Sequence, residues 1–174
     1  MIYQKSAAKA ELLLFGTAVV IAGDVTHFTW WAVISLLVSD VALLFDIGTH
    51  RSHTLSATIS SCVSITVLFL SYSNCGLFSD AYLNLGENVY AVANFAVHYW
   101  PSLRLIPRAV DSPVHKHGKW YYADAACLLT LYTALHKPVD VYECSDAHYL
   151  THATLVGLSV GGALLIQFII AYIK

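Results

Sequence analysis

Apolar residues fall in six runs along the chain, and short polar segments separate these runs. The runs cover residues 7–23, 28–47, 55–72, 82–103, 120–136 and 149–173. A helix needs about 17–25 apolar residues to cross a bilayer core of ~30 Å, so each run is long enough, although several are near the lower limit. The pattern predicts an all-α fold, a polytopic transmembrane bundle of six short helices. Only residues 24–27 join the first two runs, which leaves five spans as the alternative.

The amino-acid composition also predicts a membrane protein. Of the 174 residues, 57% are apolar and 11% are charged, and the mean hydropathy is +0.62. An ordinary water-soluble domain carries about 25% charged residues. The sequence therefore predicts a single integral membrane domain over residues 1–174, a multi-pass protein surrounded by the lipid bilayer. The formal net charge of −2 provides no basic surface, which excludes nucleic acid as a partner.

The basic residues predict an orientation, because lysine and arginine accumulate in the cytoplasmic loops of membrane proteins. With six spans and a cytoplasmic N-terminus, only Lys137 lies outside. The basic residues on the cytoplasmic side are Lys5, Lys9, Arg51, Arg104, Arg108, Lys116, Lys119 and Lys174. This distribution predicts that both termini are cytoplasmic and that Arg104 and Arg108 follow the end of the fourth span.

Polar residues of the fourth run form a stripe. Glu87, Asn94 and His98 recur at helical spacing, so they share one face of a helix. Ionisable groups inside a membrane bundle usually face the protein interior or a water-filled cavity. The stripe is a candidate path for protons or cations. The alternative is that Asn94 and His98 form hydrogen bonds between helices and that Glu87 lies at the outer interface.

The end of the second run carries a candidate metal site. Asp46, His50 and His53 follow one another at spacings of four and three residues. If the helix continues through His53, one carboxylate and two imidazoles share a face. Such a donor set suits a divalent transition metal, namely zinc, manganese or non-haem iron.

Two further histidines, His115 and His117, lie in the next predicted cytoplasmic loop and would complete this site. The alternative is a polar cap without metal. In that case Gly48 ends the helix, and Arg51 pairs with Asp46.

The predicted outer side offers a second candidate metal site and a disulfide. His148 and His152 are four residues apart at the start of the last run, which places both imidazoles on one helical face. The alternative is that they are capping or interfacial residues. Cys75 and Cys144 lie in predicted outer loops, and they would form a disulfide if that side is oxidising.

Two acidic residues, Asp40 and Asp124, lie within the second and fifth runs and need partners. The expected partners are His98 or the hydroxyl groups of the serine-rich third run.

The leading functional hypothesis is a membrane protein whose polar interior of aspartate, glutamate and histidine binds or translocates a cation or proton. One alternative is a membrane enzyme that depends on a metal or, less favoured, on haem. Another is a non-catalytic subunit that assembles with other membrane subunits or with copies of itself. The sequence lacks the HExxH, CxxC, P-loop and GxSxG motifs, so no motif identifies a reaction.

Overall fold

The computed structural model describes residues 2–22, 27–72 and 86–111, together with single positions at 127, 130, 131, 157, 161, 162 and 165. In these segments the chain forms five helices: α1 (Ile2–Ala22), α2 (Phe28–Phe45), α3 (Thr49–Tyr72), α4 (Glu87–His98) and α5 (Trp100–Asp111). The all-α prediction is confirmed for this part of the chain.

A tight turn separates α2 from α3. Asp46 follows α2 with a left-handed backbone (φ 55°, ψ 35°), and its N–H donates to the carbonyl oxygen of Ala42. The N–H of Ile47 donates to the same oxygen at 3.0 Å, and Gly48 is also left-handed at φ 52°. Such left-handed residues commonly end helices because they redirect the chain while satisfying the last carbonyl groups.

The position of this turn tests the prediction that the second helix continues through His53. Asp46 lies between the helices, whereas His50 and His53 belong to α3. The second helix therefore does not continue through His53, and the arrangement of these three residues on one helical face does not form.

Small hydroxyl side chains allow α3 to pack closely against its neighbours. Thr58 Oγ1 donates to the carbonyl oxygen of Thr54 at 2.9 Å, and Ser60 Oγ donates to that of Ala57 at 3.2 Å. Bonds of this kind satisfy buried hydroxyl groups within the helix itself. The helix can therefore be buried along most of its length despite its polar sequence.

A break at Tyr99 divides the fourth predicted span into α4 and α5. Pro101 explains the break. A proline within a continuous helix lacks an N–H donor, and its ring clashes with the carbonyl group four residues earlier, here that of Val97. At the start of a new helix neither problem arises. Pro101 accordingly lies in the first turn of α5.

Four helices contribute to the apolar core. Its buried members are Phe15 from α1, Val33 and Leu36 from α2, Ala57 from α3, and Leu105 and Ala109 from α5. The core therefore lies between α1, α2, α3 and α5, and it adjoins the charged residues described below.

The prediction of a transmembrane bundle is wrong for the described residues, where no helix combines the length and the apolar character needed to cross a bilayer. The described part of the fourth predicted span is shared between α4 and the beginning of α5, two helices of 12 residues that are each about 18 Å long. The N-terminal half of α1 carries Lys5, Lys9 and Glu11. With the transmembrane spans, the predicted multi-pass membrane location and the N-in, C-in orientation are also withdrawn.

Candidate functional site

Four ionisable residues from three helices meet beside the core, and we call them the charged cluster: Glu11, Asp40, Arg104 and Arg108. Glu11 lies on α1 and Asp40 on α2, while the arginines are one turn apart on α5. Residues four apart on a helix point the same way, so both guanidinium groups face α1 and α2. Charged groups are buried only when they are paired, and this spacing supplies the pairs.

Arg108 is the centre of the charged cluster. Its Nη1 donates to Asp40 Oδ1 at 2.6 Å, and its Nη2 donates to Glu11 Oε2 at 3.2 Å. The side chains of Arg108 and Glu11 are almost wholly buried, and that of Asp40 is 0% exposed. One guanidinium group thus joins a carboxylate of α1 to a carboxylate of α2.

Arg104 and Trp100 also donate hydrogen bonds to the Glu11 carboxylate. The Nε of Arg104 donates to Glu11 Oε1 at 2.5 Å, and the indole Nε1 of Trp100 donates to the same oxygen at 3.0 Å. The hydrogen bond to Glu11 is the main reason that the pKa of Arg104 lies above its ordinary value. Glu11 is therefore held by four donor atoms from three residues of α5, and α1 is fixed against that helix.

Asp40 is the least satisfied member of the charged cluster. Its Oδ1 is bonded to Arg108, but its Oδ2 is buried and accepts no hydrogen bond in the described part of the chain. Burial raises the pKa of this carboxyl from 3.8 to about 7, and the nearby Arg108 charge opposes the rise. A carboxyl group with this pKa changes its protonation near neutral pH.

A hydrogen-bonded chain leads from the charged cluster to α3. Arg108 Nη1 donates to Ser39 Oγ at 3.1 Å, and Ser39 Oγ lies 2.6 Å from Nδ1 of the buried His53. Because a guanidinium group can only donate, the serine oxygen accepts from Arg108, and its own proton is available to the imidazole. The buried polar network thus reaches a histidine of α3.

His98 lies in a separate polar contact at the junction of α4 and α5. Its Nδ1 lies 3.0 Å from the carbonyl oxygen of Asn94, which can only accept, so Nδ1 is the donor. Thr29 Oγ1 then donates to Nε2 at 2.6 Å. Burial lowers the pKa of His98 to about 4, so the imidazole is neutral at neutral pH. His98 thus bonds to α2 through Nε2 and to its own helix through Nδ1.

The structure describes the side chains of only four predicted candidate residues: Asp46, His53, Asn94 and His98. Asp46 has a side chain 71% exposed and pairs with Lys5 at 2.9 Å. The alternative partner, Arg51, belongs to α3, and only its backbone is described. For His50 and Glu87 only the helical backbone is described. Asn94 lies on α4, and its buried Oδ1 accepts no hydrogen bond from a described residue.

Several predicted site residues lie outside the described residues. They are His115, His117, His148, His152, and the proposed disulfide partners Cys75 and Cys144. Among the positions that are described, no group of three or more His, Cys, Asp and Glu side chains is arranged to hold a metal ion. The metal site thus gains no support here, and zinc, manganese, iron and haem stay predictions.

The charged cluster was not predicted from the sequence. The expected partner of Asp40 was His98 or a serine of the third run, whereas the partner in the structure is Arg108. The signal that could have found this pair is the spacing of Arg104 and Arg108, since two cations one turn apart match two acids on facing helices.

Comparison with known proteins adds no family to this description: no protein-family model, curated protein or solved structure matches the chain. The functional argument therefore depends on the geometry of the charged cluster.

Proposed function

We propose that this protein is a helical proton-binding protein, in which Asp40 takes up and releases one proton near neutral pH. The charged cluster then transmits this change from α2 to α1 and α5. The proposal keeps the proton-binding part of the sequence hypothesis and omits movement across a membrane.

The observation that carries the proposal is the environment of Asp40. A wholly buried carboxylate is costly unless all its lone pairs are satisfied. Here one oxygen has an arginine partner, and the other has no hydrogen-bond donor among the described residues. Desolvation therefore favours the protonated acid while Arg108 favours the anion, and the balance of the two places the pKa at about 7.

Arg108 supplies the route by which the protonation of Asp40 affects other helices. With Asp40 ionised, two arginines balance two carboxylates, and the charged cluster is neutral. With Asp40 protonated, the charged cluster carries one net positive charge, and Glu11 is the remaining anionic partner of both arginines. Proton uptake thus shifts the attraction of Arg108 from α2 toward α1, because charge-assisted hydrogen bonds are stronger than neutral ones.

The indole group of Trp100 offers a probe of this transmission, since its N–H donates to Glu11. In ¹⁵N–¹H spectra recorded from pH 5 to pH 9, we expect the Trp100 indole signal to shift with a midpoint near pH 7. Trp30 lies on α2, ten residues before Asp40 and about 15 Å away along the helix, so its signal serves as an internal control.

Two variants complete the experiment. Asp40→Asn should remove the shift of the Trp100 signal, whereas Asp46→Asn, which changes an exposed carboxylate, should retain it. A Trp100 signal that shifts near pH 7 in the Asp40→Asn variant would assign the proton to another group and refute the proposal. A signal that does not move in the unmodified protein would refute transmission through Glu11.

A further inference from the structure

The helix α1 has a second, exposed side that lies opposite the charged cluster. Glu11 and Phe15 turn inward and are buried. Six other residues, at alternating spacings of three and four, are exposed: Tyr3, Ser6, Ala10, Leu13, Thr17 and Val20. This spacing keeps the six side chains on one side of a helix, and we call them the α1 seam. A helix that is apolar on both sides is normally covered on both, and the α1 seam is the side left exposed.

The second half of the α1 seam is apolar in effect. Leu13 is 75% exposed, and Leu14 and Ile21, which flank the seam, are 68% and 78% exposed. Thr17 Oγ1 donates to the carbonyl oxygen of Leu13 at 2.6 Å, so its hydroxyl group is satisfied within the helix. Covering this surface would remove apolar area from water without leaving the threonine hydroxyl unsatisfied.

The order of side chains makes the α1 seam complementary to an inverted copy of itself. When two seams lie antiparallel, centred between Ala10 and Leu13, the facing pairs are Tyr3 with Val20, Ser6 with Thr17, and Ala10 with Leu13. The smallest residue thus meets a leucine, and this leucine also lies at the edge of an apolar groove that Ala10 lines between α1 and α4. A parallel pair would instead place Ala10 opposite Ala10, which leaves a gap in the packing.

The charges of α1 also favour the antiparallel arrangement. Lys5 and Lys9 both lie in the N-terminal half of the helix. A parallel pair would bring the lysines of both chains to the same end of the interface, where like charges repel. An antiparallel pair keeps them at opposite ends.

We propose that two copies of this chain form a symmetric dimer through antiparallel packing of their α1 seams. Five large side chains on each copy are at least 68% exposed: Tyr3, Leu13, Leu14, Val20 and Ile21. Together the ten bury roughly 800 Å² of apolar surface, and the smaller residues bring the total toward the ~1,200 Å² at which specific interfaces begin. An interface at this limit is weak, so we expect a dissociation constant on the order of 10 µM. The dimer does not depend on proton binding by Asp40, because Glu11 and the seam lie on opposite sides of α1.

Sedimentation velocity at concentrations from ~1 to ~200 µM, on both sides of the expected dissociation constant, tests the dimer. We expect a reversible change from the single chain of 19.1 kDa to a species of twice that mass. Val20→Glu should weaken dimerisation by at least about tenfold, because it buries a carboxylate beside Tyr3 of the other chain. The matched control Val38→Glu, at a valine of α2 that is 52% exposed, should leave dimerisation within about twofold.

A charge exchange tests the antiparallel arrangement. Tyr3→Lys alone should also weaken the dimer. Tyr3→Lys and Val20→Glu combined in one chain place opposite charges face to face only if the helices are antiparallel, and dimerisation should then return to within about threefold of the unmodified protein. In a parallel pair the same double variant would bring like charges together twice and would dimerise less well than either single variant.

Three results would overturn the proposal. A single chain at every concentration, or equal losses of dimer in Val20→Glu and Val38→Glu, would exclude a dimer through the α1 seam. A double variant that does not recover would exclude the antiparallel arrangement. Because the seam is exposed in the single chain, Val20→Glu should unfold at the same urea concentration as the unmodified protein when both are at ~1 µM. A lower midpoint would show that the seam is covered within the chain.

Discussion

Replacing Asp40 by asparagine should change how the stability of the protein depends on pH. Asparagine has nearly the same shape and cannot ionise, so it resembles the protonated acid. The pKa of Asp40 rises from 3.8 to about 7 on folding. Each unit corresponds to 1.36 kcal/mol, so burial of the ionised form costs on the order of 4 kcal/mol.

The direction follows from the protons bound in each state. Between pH 4 and pH 7 the folded protein keeps the proton of Asp40, and the unfolded chain releases it. The stability that this group contributes is therefore greatest at low pH, falls as the pH rises through this window, and is constant above pH 7. Between pH 5 and pH 8 the loss is about 3 kcal/mol.

Urea unfolding at pH 5, 6, 7 and 8 measures this effect. Because other groups also titrate, the relevant quantity is the difference in free energy of unfolding between the unmodified protein and Asp40→Asn. We expect the variant to gain about 3 kcal/mol relative to the unmodified protein across this range. Asp46→Asn, at an exposed carboxylate, should follow the unmodified protein. Parallel curves for the unmodified protein and Asp40→Asn, or a gain of opposite sign, would refute the reasoning.

Three further predictions concern the packing of the helices, and urea unfolding at pH 7 tests each of them. Arg108→Gln removes the shared partner of two buried carboxylates and should lower the free energy of unfolding by about 3–5 kcal/mol; a loss below ~1 kcal/mol would show that the charged cluster is solvated. His98→Ala leaves a cavity and an unsatisfied Thr29 hydroxyl, and it should cost about 2–4 kcal/mol. Gly16→Ala lies inside α1 with open space around it and should stabilise by up to about 1 kcal/mol, whereas Gly48→Ala, at φ 52°, should destabilise by about 1 kcal/mol; the same sign for both would contradict the assigned turn.

The first three helices could be predicted from the sequence because each contains a continuous apolar run. Their ends were less predictable. α1 begins at Ile2, before the apolar run, and its polar first turns include Lys5, whose partner Asp46 is distant in sequence. The apolar run of α2 continues to residue 47, but the helix ends at Phe45. A hydropathy pattern does not record a left-handed residue that ends a helix.

The membrane prediction failed because apolar runs were interpreted as spans without regard to what interrupts them. Pro101 lies inside the fourth run, and a single proline was sufficient to divide it into two short helices. Composition could not correct this error, since a high apolar content describes the whole chain and not the continuity of any one helix.

The charged cluster was hidden by the same interpretation. Assigning Arg104 and Arg108 to a loop removed them from consideration as partners of a buried acid, although the need of Asp40 for a partner was recognised. Arg108 and Asp40 are 68 positions apart in the chain, and Arg108 and Glu11 are 97 apart. Pairs at such separations depend on how the helices pack, which spacing along one helix does not specify.

The central claim is that Asp40 exchanges a proton near neutral pH, and the titration of its carboxyl carbon tests this most directly. In ¹³C spectra of protein labelled at the aspartate side-chain carboxyl, followed from pH 3 to pH 9, we predict one resonance with a midpoint near pH 7 that is missing from the Asp40→Asn variant. If the resonance lost in that variant instead titrates below pH 5, Asp40 is already ionised at neutral pH, and the account is contradicted.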